Sequence, residues 1–194
     1  MKHSIALIER PADEPISLAE AKAHLRLEAD ETEEDALIGG LIAAAREHVE
    51  GQTGRALVAQ TFKLRLPHFP LGDVIRLPRG PVVEVLEVAY RDTAGTARTF
   101  ADWGGDLGLQ PAEIWPHVAP VGQGAWPSGG YAVEITFRAG YGGPADVPAS
   151  IKQAMLLLVG HWWANRESVL VGAAAGVLPM GVEALLSQHR IVWF

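Results

Sequence analysis

The spacing of apolar residues predicts two helices between residues 15 and 54. The first follows Ser17, which has the spacing of a capping box with Glu20, and it ends near Leu27. The second begins in the acidic segment 32–35 and ends at the glycines of segment 51–54, because glycine readily adopts the left-handed conformation that terminates helices. The residues predicted to form the buried face of this second helix are Leu37, Ile38, Leu41, Ile42, Ala45 and Val49.

The pattern changes between residues 55 and 140 to short runs of branched and aromatic residues separated by proline and glycine. Such runs are typical of strands and turns. The clearest strands are residues 60–66, 82–90 and 131–137. Residues 95–130 contain several glycines and only a weak pattern, so the sequence assigns them no topology.

Helical spacing returns after Pro148, since proline is well placed in the first turn of a helix. One face of this helix is predicted to consist of Ile151, Ala154, Met155, Leu158 and Trp162. A short last helix covers residues 179–186. The element order predicts an α+β fold in one domain, residues 1–194: a small helical bundle with a β-rich insertion between its halves. Its parts are the helical segments 15–54 and 147–187, the insertion 55–140 and a C-terminal tail, 188–194.

The C-terminal tail ends in four apolar residues. Apolar side chains at a terminus are costly to leave in water. Two interpretations follow: the tail docks into another protein, or it packs against its own domain.

Composition narrows the function classes. The formal charge is −7, from 16 basic and 23 acidic residues, so the chain lacks the basic excess that duplex DNA binding requires. It has no cysteine, which excludes disulfides, thiolate metal sites and cysteine nucleophiles and fits a reducing cytosol. The start of the chain has no apolar run of a signal peptide, and the most apolar segment, 151–171, is interrupted by charged residues. We therefore expect no membrane span.

Motifs for chemistry are missing from the sequence. No two of the seven histidines lie two to five residues apart, as local metal-ligand pairs do, although a site assembled through space stays open. Neither a phosphate-binding loop nor a nucleophile elbow occurs. We therefore predict no catalytic, metal-binding or cofactor-binding residues, no cofactor, and a protein that is not an enzyme.

The acidic run 28–35 lacks the turn glycine of a calcium loop. Two interpretations stay open for it. Either it is a solvated helix start, or it is an acidic corner that faces DNA or a basic partner.

Six segments taken together resemble the phage head-tail connector family, which includes the adaptors of gene transfer agents. They are residues 15–22 (PISLAEAK), 53–57 (TGRAL) with Gln60 and Thr61, 77–82 (LPRGPV), 136–142 (TFRAGYG), 147–154 (VPASIKQA) and 161–167 (HWWANRE). Their order is that of the family, and the resemblance extends from Ile16 to Arg190.

The resemblance implies a structural adaptor in the neck of a virion or gene transfer agent, assembled in the bacterial cytoplasm. Its implied partners are the portal protein, a stopper or other tail protein, and itself in a ring of twelve copies. DNA is expected to pass through the channel without sequence-specific binding. The residues expected to bind the portal are Arg190, Ile191, Val192, Trp193 and Phe194. The alternatives are a stopper or tail-completion protein, and a small-molecule-binding protein or enzyme with a spatially assembled site.

Overall fold

The computed structural model describes residues 3–71, 74–117, 125–165 and 180–192. The chain forms two compact units, each assembled from segments that are distant in sequence. We call them the helical unit, residues 12–58 and 142–190, and the β unit, residues 1–11, 59–141 and 191–194.

In its described part, the helical unit contains four α-helices: α1 (Leu18–Leu25), α2 (Asp35–Thr53), α3 (Ala149–Ala164) and α4 (Met180–Ser187). A short 3-10 helix, Pro144–Asp146, precedes α3. The α2 helix packs against α3, α3 contacts α4, and α1 contacts both α2 and α3. The core of the unit consists mainly of Ile38, Ile42, Ala45 and Val49 from α2 and Ile151, Ala154, Met155 and Leu158 from α3.

The helix ends agree with the sequence patterns that predicted them. The Ser17 hydroxyl accepts a hydrogen bond from the Glu20 amide at 3.1 Å, and the Glu20 carboxylate accepts one from the Ser17 amide at 2.7 Å. These bonds from Ser17 hold the pKa of Glu20 below its ordinary value. At the other end of this segment, α2 ends at Gly54, whose φ is 72°. The capping box and the glycine termination are therefore confirmed.

The predicted buried face of α2 is wrong at Leu37, which is exposed, and Leu41 is half-buried. Successive helical residues lie about 100° apart, so Leu37 points away from a stripe that is centred on Ile38 and Ile42. In α3, Trp162 is likewise half-buried, whereas Ile151 is fully buried.

The described residues of the β unit form eight strands in two antiparallel sheets. They are β1 (Ser4–Glu9), β2 (Gln60–His68), β3 (Ile75–Leu77), β4 (Val82–Arg91), β5 (Ala97–Thr99), β6 (Trp103–Asp106), β7 (Ala112–Pro116) and β8 (Tyr131–Ala139). The larger sheet has the order β1-β2-β8-β4-β5 and the smaller sheet the order β3-β7-β6. The three predicted strands are confirmed as β2, β4 and β8, each slightly longer than predicted. The sequence did not predict β1 or β3, and it assigned no topology to the segment that forms β5, β6 and β7.

The two faces of the larger sheet differ in polarity. On one face Phe62 is opposite Phe137, and Leu64 is opposite Ile135, with all four side chains buried. The other face is lined with charged side chains that pair across strands: Lys63 and Arg65 with Glu134, and Arg138 with Glu84. This alternation is the pattern of an antiparallel sheet that covers a core on one side.

Together, the helices at both ends of the chain and the β-rich middle confirm the predicted α+β fold. Within the described ranges, no helix combines the length and the apolar character that crossing a membrane requires.

Candidate functional site

The C-terminal tail leaves α4 as a turn. The His189 amide donates to the Leu186 carbonyl at 2.9 Å, and the Ser187 hydroxyl donates to the Ala184 carbonyl. Of the five residues predicted to bind the portal, Arg190, Ile191 and Val192 can be described; Trp193 and Phe194 lie outside the described residues.

His189 is bound at two points within the helical unit. Its Nε2 atom lies 2.7 Å from the Ser150 hydroxyl, in the first turn of α3. Its backbone carbonyl accepts a hydrogen bond from Nε of Arg55, a buried residue that directly follows Gly54 at the end of α2. Burial, and secondly the Arg55 charge, lower the pKa of His189 below its ordinary value. The folded chain therefore favours the neutral imidazole.

Arg190 is held by the same helices. Its guanidinium pairs with the Glu183 carboxylate of α4 at 3.2 Å and lies 3.4 Å from the Gln52 side-chain oxygen near the end of α2. The Glu183 and Arg190 side chains are largely exposed, so this pair orients the backbone more than it stabilises the fold. His189 and Arg190 together fix the point at which the tail leaves the helical unit.

Ile191 and Val192 belong to the β unit. Ile191 is half-buried and packs against the backbone of Gly80, where an added Cβ would lie 3.1 Å from Ile191 Cδ1. Val192 is 55% exposed. The apolar side chain of Ile191 is thus partly buried, whereas that of the next residue, Val192, is exposed to solvent.

The Ser150 and His189 side chains are in contact although they are 39 positions apart in the sequence. No local spacing of residues could have predicted this contact. It has the distance of a nucleophile and its base. Among the described residues no carboxylate hydrogen bonds to the imidazole, and the neighbouring charge is the Arg55 cation, which disfavours the imidazolium that such a mechanism forms. The pair is therefore assigned to holding the tail.

The acidic run is organised around a buried cation. The Lys22 ammonium forms an ion pair with Asp35 and donates a hydrogen bond to the Glu31 carbonyl at 2.7 Å. Asp35 is also the first residue of α2. These contacts make one end of the run part of a helix junction. No group of three or more metal-ligating side chains occurs in the described portion of the chain.

Comparisons with known proteins bear on what this arrangement serves. The chain matches a chain in a structure described as the neck of an empty gene transfer agent (GTA) particle, computed with C6 symmetry. The match has a TM-score of 0.79 and 30% sequence identity, and it covers 98% of this chain and 97% of that one. The family model for the phage gp6-like head-tail connector protein matches residues 15–98. The chain belongs to this family.

The connector also matches a chain in the virion of a native GTA particle, with 29% identity, a TM-score of 0.77 and coverage of 98% of this chain and 96% of that one. A third match, in the neck of a native GTA particle computed with C12 symmetry, has 30% identity, a TM-score of 0.72 and 97% coverage of both chains. No curated protein sequence matches the connector. The resemblance found in the sequence and the structural connector function that it implied are confirmed.

Proposed function

We propose that the connector forms a ring of twelve copies beneath the portal of a tailed phage or gene transfer agent, and that DNA passes through its centre. The observation that carries this proposal is similarity over nearly the whole chain to proteins in GTA necks. Those structures were computed with C6 and C12 symmetry, and a ring of twelve is compatible with both because twelvefold symmetry contains sixfold symmetry. The whole chain, residues 1–194, then acts as one adaptor, assembled in the bacterial cytoplasm.

The C-terminal tail is the proposed portal-binding segment. His189 and Arg190 fix its starting point, and Val192 already presents an apolar side chain to solvent. The next two residues in the sequence are Trp193 and Phe194. Burying such a segment in a partner removes apolar surface from water, and aromatic residues are frequent anchors of interfaces. The proposed site is therefore Arg190, Ile191, Val192, Trp193 and Phe194.

The charge of the chain suits passage of DNA without sequence-specific binding. With a formal charge of −7 per copy, the chain offers no basic excess that would hold a duplex passing through the ring. The face of the ring opposite the portal would dock a stopper or another tail protein.

The first experiment is binding of the purified connector to the portal ring, followed by imaging of the complex. The matched variants are full-length protein, a chain that ends after Arg190, and Glu183→Ala, which removes one exposed contact of Arg190 but keeps the contacts of His189 and the apolar residues. We expect the full-length chain and Glu183→Ala to form a ring on the portal and the shortened chain to lose binding. Ending the chain after Arg190 keeps the His189 and Arg190 contacts, so lost binding reports the missing residues 191–194.

Two outcomes would contradict the proposal. If the shortened chain still bound the portal, residues 191–194 would not be part of the portal-binding site. If the full-length chain failed to bind the portal but bound an assembled adaptor ring, it would instead be a stopper or tail-completion protein.

A further inference from the structure

Exposed apolar side chains mark two opposite edges of the larger sheet. On the β1 edge, Leu7 and Ile8 are 42% and 49% exposed. On the β4 side, Val83 and Leu86 are 56% and 47% exposed. Because β5 pairs only with residues 89–91 of β4, the outer edge of the preceding half of β4 is open among the described strands. The sheet therefore has one apolar patch at each side.

Irregular pairing accounts for three of these exposed residues. The register between β1 and β2 shifts between Leu7 and Glu9, which makes Ile8 the extra residue of a bulge. Two further shifts in the pairing of β4 with β8 leave Val83 and Leu86 without opposite residues. Bulges interrupt the regular spacing of backbone donors and acceptors at an edge and so discourage extension of the hydrogen-bond ladder. Side-chain packing is the contact that these edges favour.

We propose that the two edges meet between neighbouring copies of this chain, with Leu7 and Ile8 of one copy packed against Val83 and Leu86 of the next. This inference rests on the ring of the proposed function and names a contact that closes it. A ring of identical subunits needs two different complementary patches on each subunit, so that each contact is head to tail. The edges of this sheet meet that requirement, since each copy carries one of each.

Strand direction is compatible with the contact. Neighbouring strands from β1 through β2 and β8 to β4 are antiparallel, so β1 and β4 run in opposite directions. When β4 of one copy lies beside β1 of the next, the two strands are again antiparallel. Neighbouring sheets then keep the same orientation around the ring.

The charges beside the two edges are complementary. Next to the first half of β1, Lys63 and Arg65 share the single carboxylate of Glu134. Next to the open edge of β4, Glu84 pairs with Arg138, whereas Glu87 accepts only a hydrogen bond from Thr99 and pairs with no described cation. Glu9, at the end of β1, accepts a hydrogen bond from the Thr61 hydroxyl, so the excess positive charge is confined to the first half of β1. The open edge of β4 has an excess negative charge. This arrangement favours contact between unlike edges and disfavours contact between like edges.

The absence of native cysteine makes crosslinking a direct test. Ile8→Cys and Val83→Cys are made as separate variants, mixed in equal amounts, assembled on the portal ring and treated with a short bis-maleimide. We expect crosslinked dimers from the mixture and none from either variant alone. A chain that carries both substitutions should give a ladder of multimers. A mixture of Leu109→Cys and Val83→Cys is the control, since Leu109 is exposed to a similar extent outside the larger sheet.

The results separate this inference from the proposed function. A ring that forms on the portal without a crosslink in the first mixture overturns the edge contact and leaves the adaptor function standing. Crosslinking of Ile8→Cys with itself, or equal crosslinking in the Leu109 control, also overturns it. If the unsubstituted chain forms no ring, the proposed function fails and the edge contact fails with it.

Discussion

The Ser150 hydroxyl lies 2.7 Å from Nε2 of His189, and this contact joins the first turn of α3 to the residue from which the C-terminal tail departs. Arg55 binds the backbone of the same residue from the end of α2. Two helices that are far apart in sequence thus hold one histidine through its ring and its carbonyl. The position of the tail is therefore coupled to the folding of the helical unit.

The first prediction concerns the loss of unfolding free energy at acidic pH. Burial and Arg55 lower the pKa of His189, so the unfolded chain takes up a proton at a higher pH than the folded chain, near the ordinary value of 6.5. The neutral His189 therefore contributes its full stabilisation of the folded chain above pH 6.5. This contribution to the unfolding free energy is lost as the pH falls below 6.5, because the unfolded chain then binds the proton more readily. Urea unfolding between about pH 7.5 and 5.5 should show a smaller loss of unfolding free energy in His189→Gln than in the unsubstituted chain. The amide of glutamine can replace Nε2 beside Ser150 without titrating.

The matched control for the acid prediction is His68→Gln, at an exposed histidine on β2. It should retain the pH dependence of the unsubstituted chain. If His189→Gln also retained it, His189 would not be the group responsible.

A second prediction concerns the buried ion pair of α2. Arg46 bonds to Glu50 at 3.2 Å, and Glu50 also accepts the Leu57 amide at 2.9 Å. Removing Glu50 takes away the acceptor of the buried Leu57 amide and one partner of Arg46, whose Nε stays bound to Glu14 at 2.9 Å. Glu50→Ala should therefore lower the unfolding free energy by about 2 to 3 kcal/mol in urea titrations. Glu47→Ala is the control, because Glu47 is an exposed and more distant partner of the same arginine. It should change stability by less than about 1 kcal/mol, and an equal loss in both variants would contradict the assignment.

A third prediction compares two glycines of one helix. An added Cβ at Gly40, within α2, meets no atom within 4 Å, so Gly40→Ala should raise the unfolding free energy by about 0.5 to 1 kcal/mol. Gly54 ends the helix with a φ of 72°, and alanine there should cost about 1 to 2 kcal/mol. Thermal or urea unfolding of both variants should give opposite signs. If Gly40→Ala instead lowered the unfolding free energy, the surface of α2 around Gly40 would be packed against another group.

Elements defined by neighbouring residues could be predicted from the sequence. Ser17 and Glu20 mark the start of α1 through a contact over three residues, and Gly54 ends α2 through its own backbone conformation. Both signals are local, so they are present in the sequence itself. The strands β2, β4 and β8 were also predictable, because short runs rich in branched and aromatic residues between prolines and glycines favour extended structure.

Elements stabilised by distant partners could not be predicted. The short β1 strand depends on pairing with β2, more than fifty residues later. In the segment without an assigned topology, Phe100 and Trp126 join Phe69 in an aromatic cluster, with Phe69 and Trp126 stacked at 5.0 Å. The contact of Ser150 with His189 is of the same kind. None of these partners is identified by spacing, since the fold alone brings them together.

The place of β8 in the larger sheet has a consequence for synthesis on the ribosome. It is the last strand of the β unit in chain order, yet it lies at the centre of the five-stranded sheet, between β2 and β4. Until it emerges, the other strands of this larger sheet can form only the pairs β1 with β2 and β4 with β5. The edges of β2 and β4 that will pair with β8 stay open until then. Pairing between strands that are far apart in the sequence is slow. A prematurely terminated chain that lacks β8 therefore cannot complete the sheet, so only a chain translated past it can supply a finished subunit to the particle.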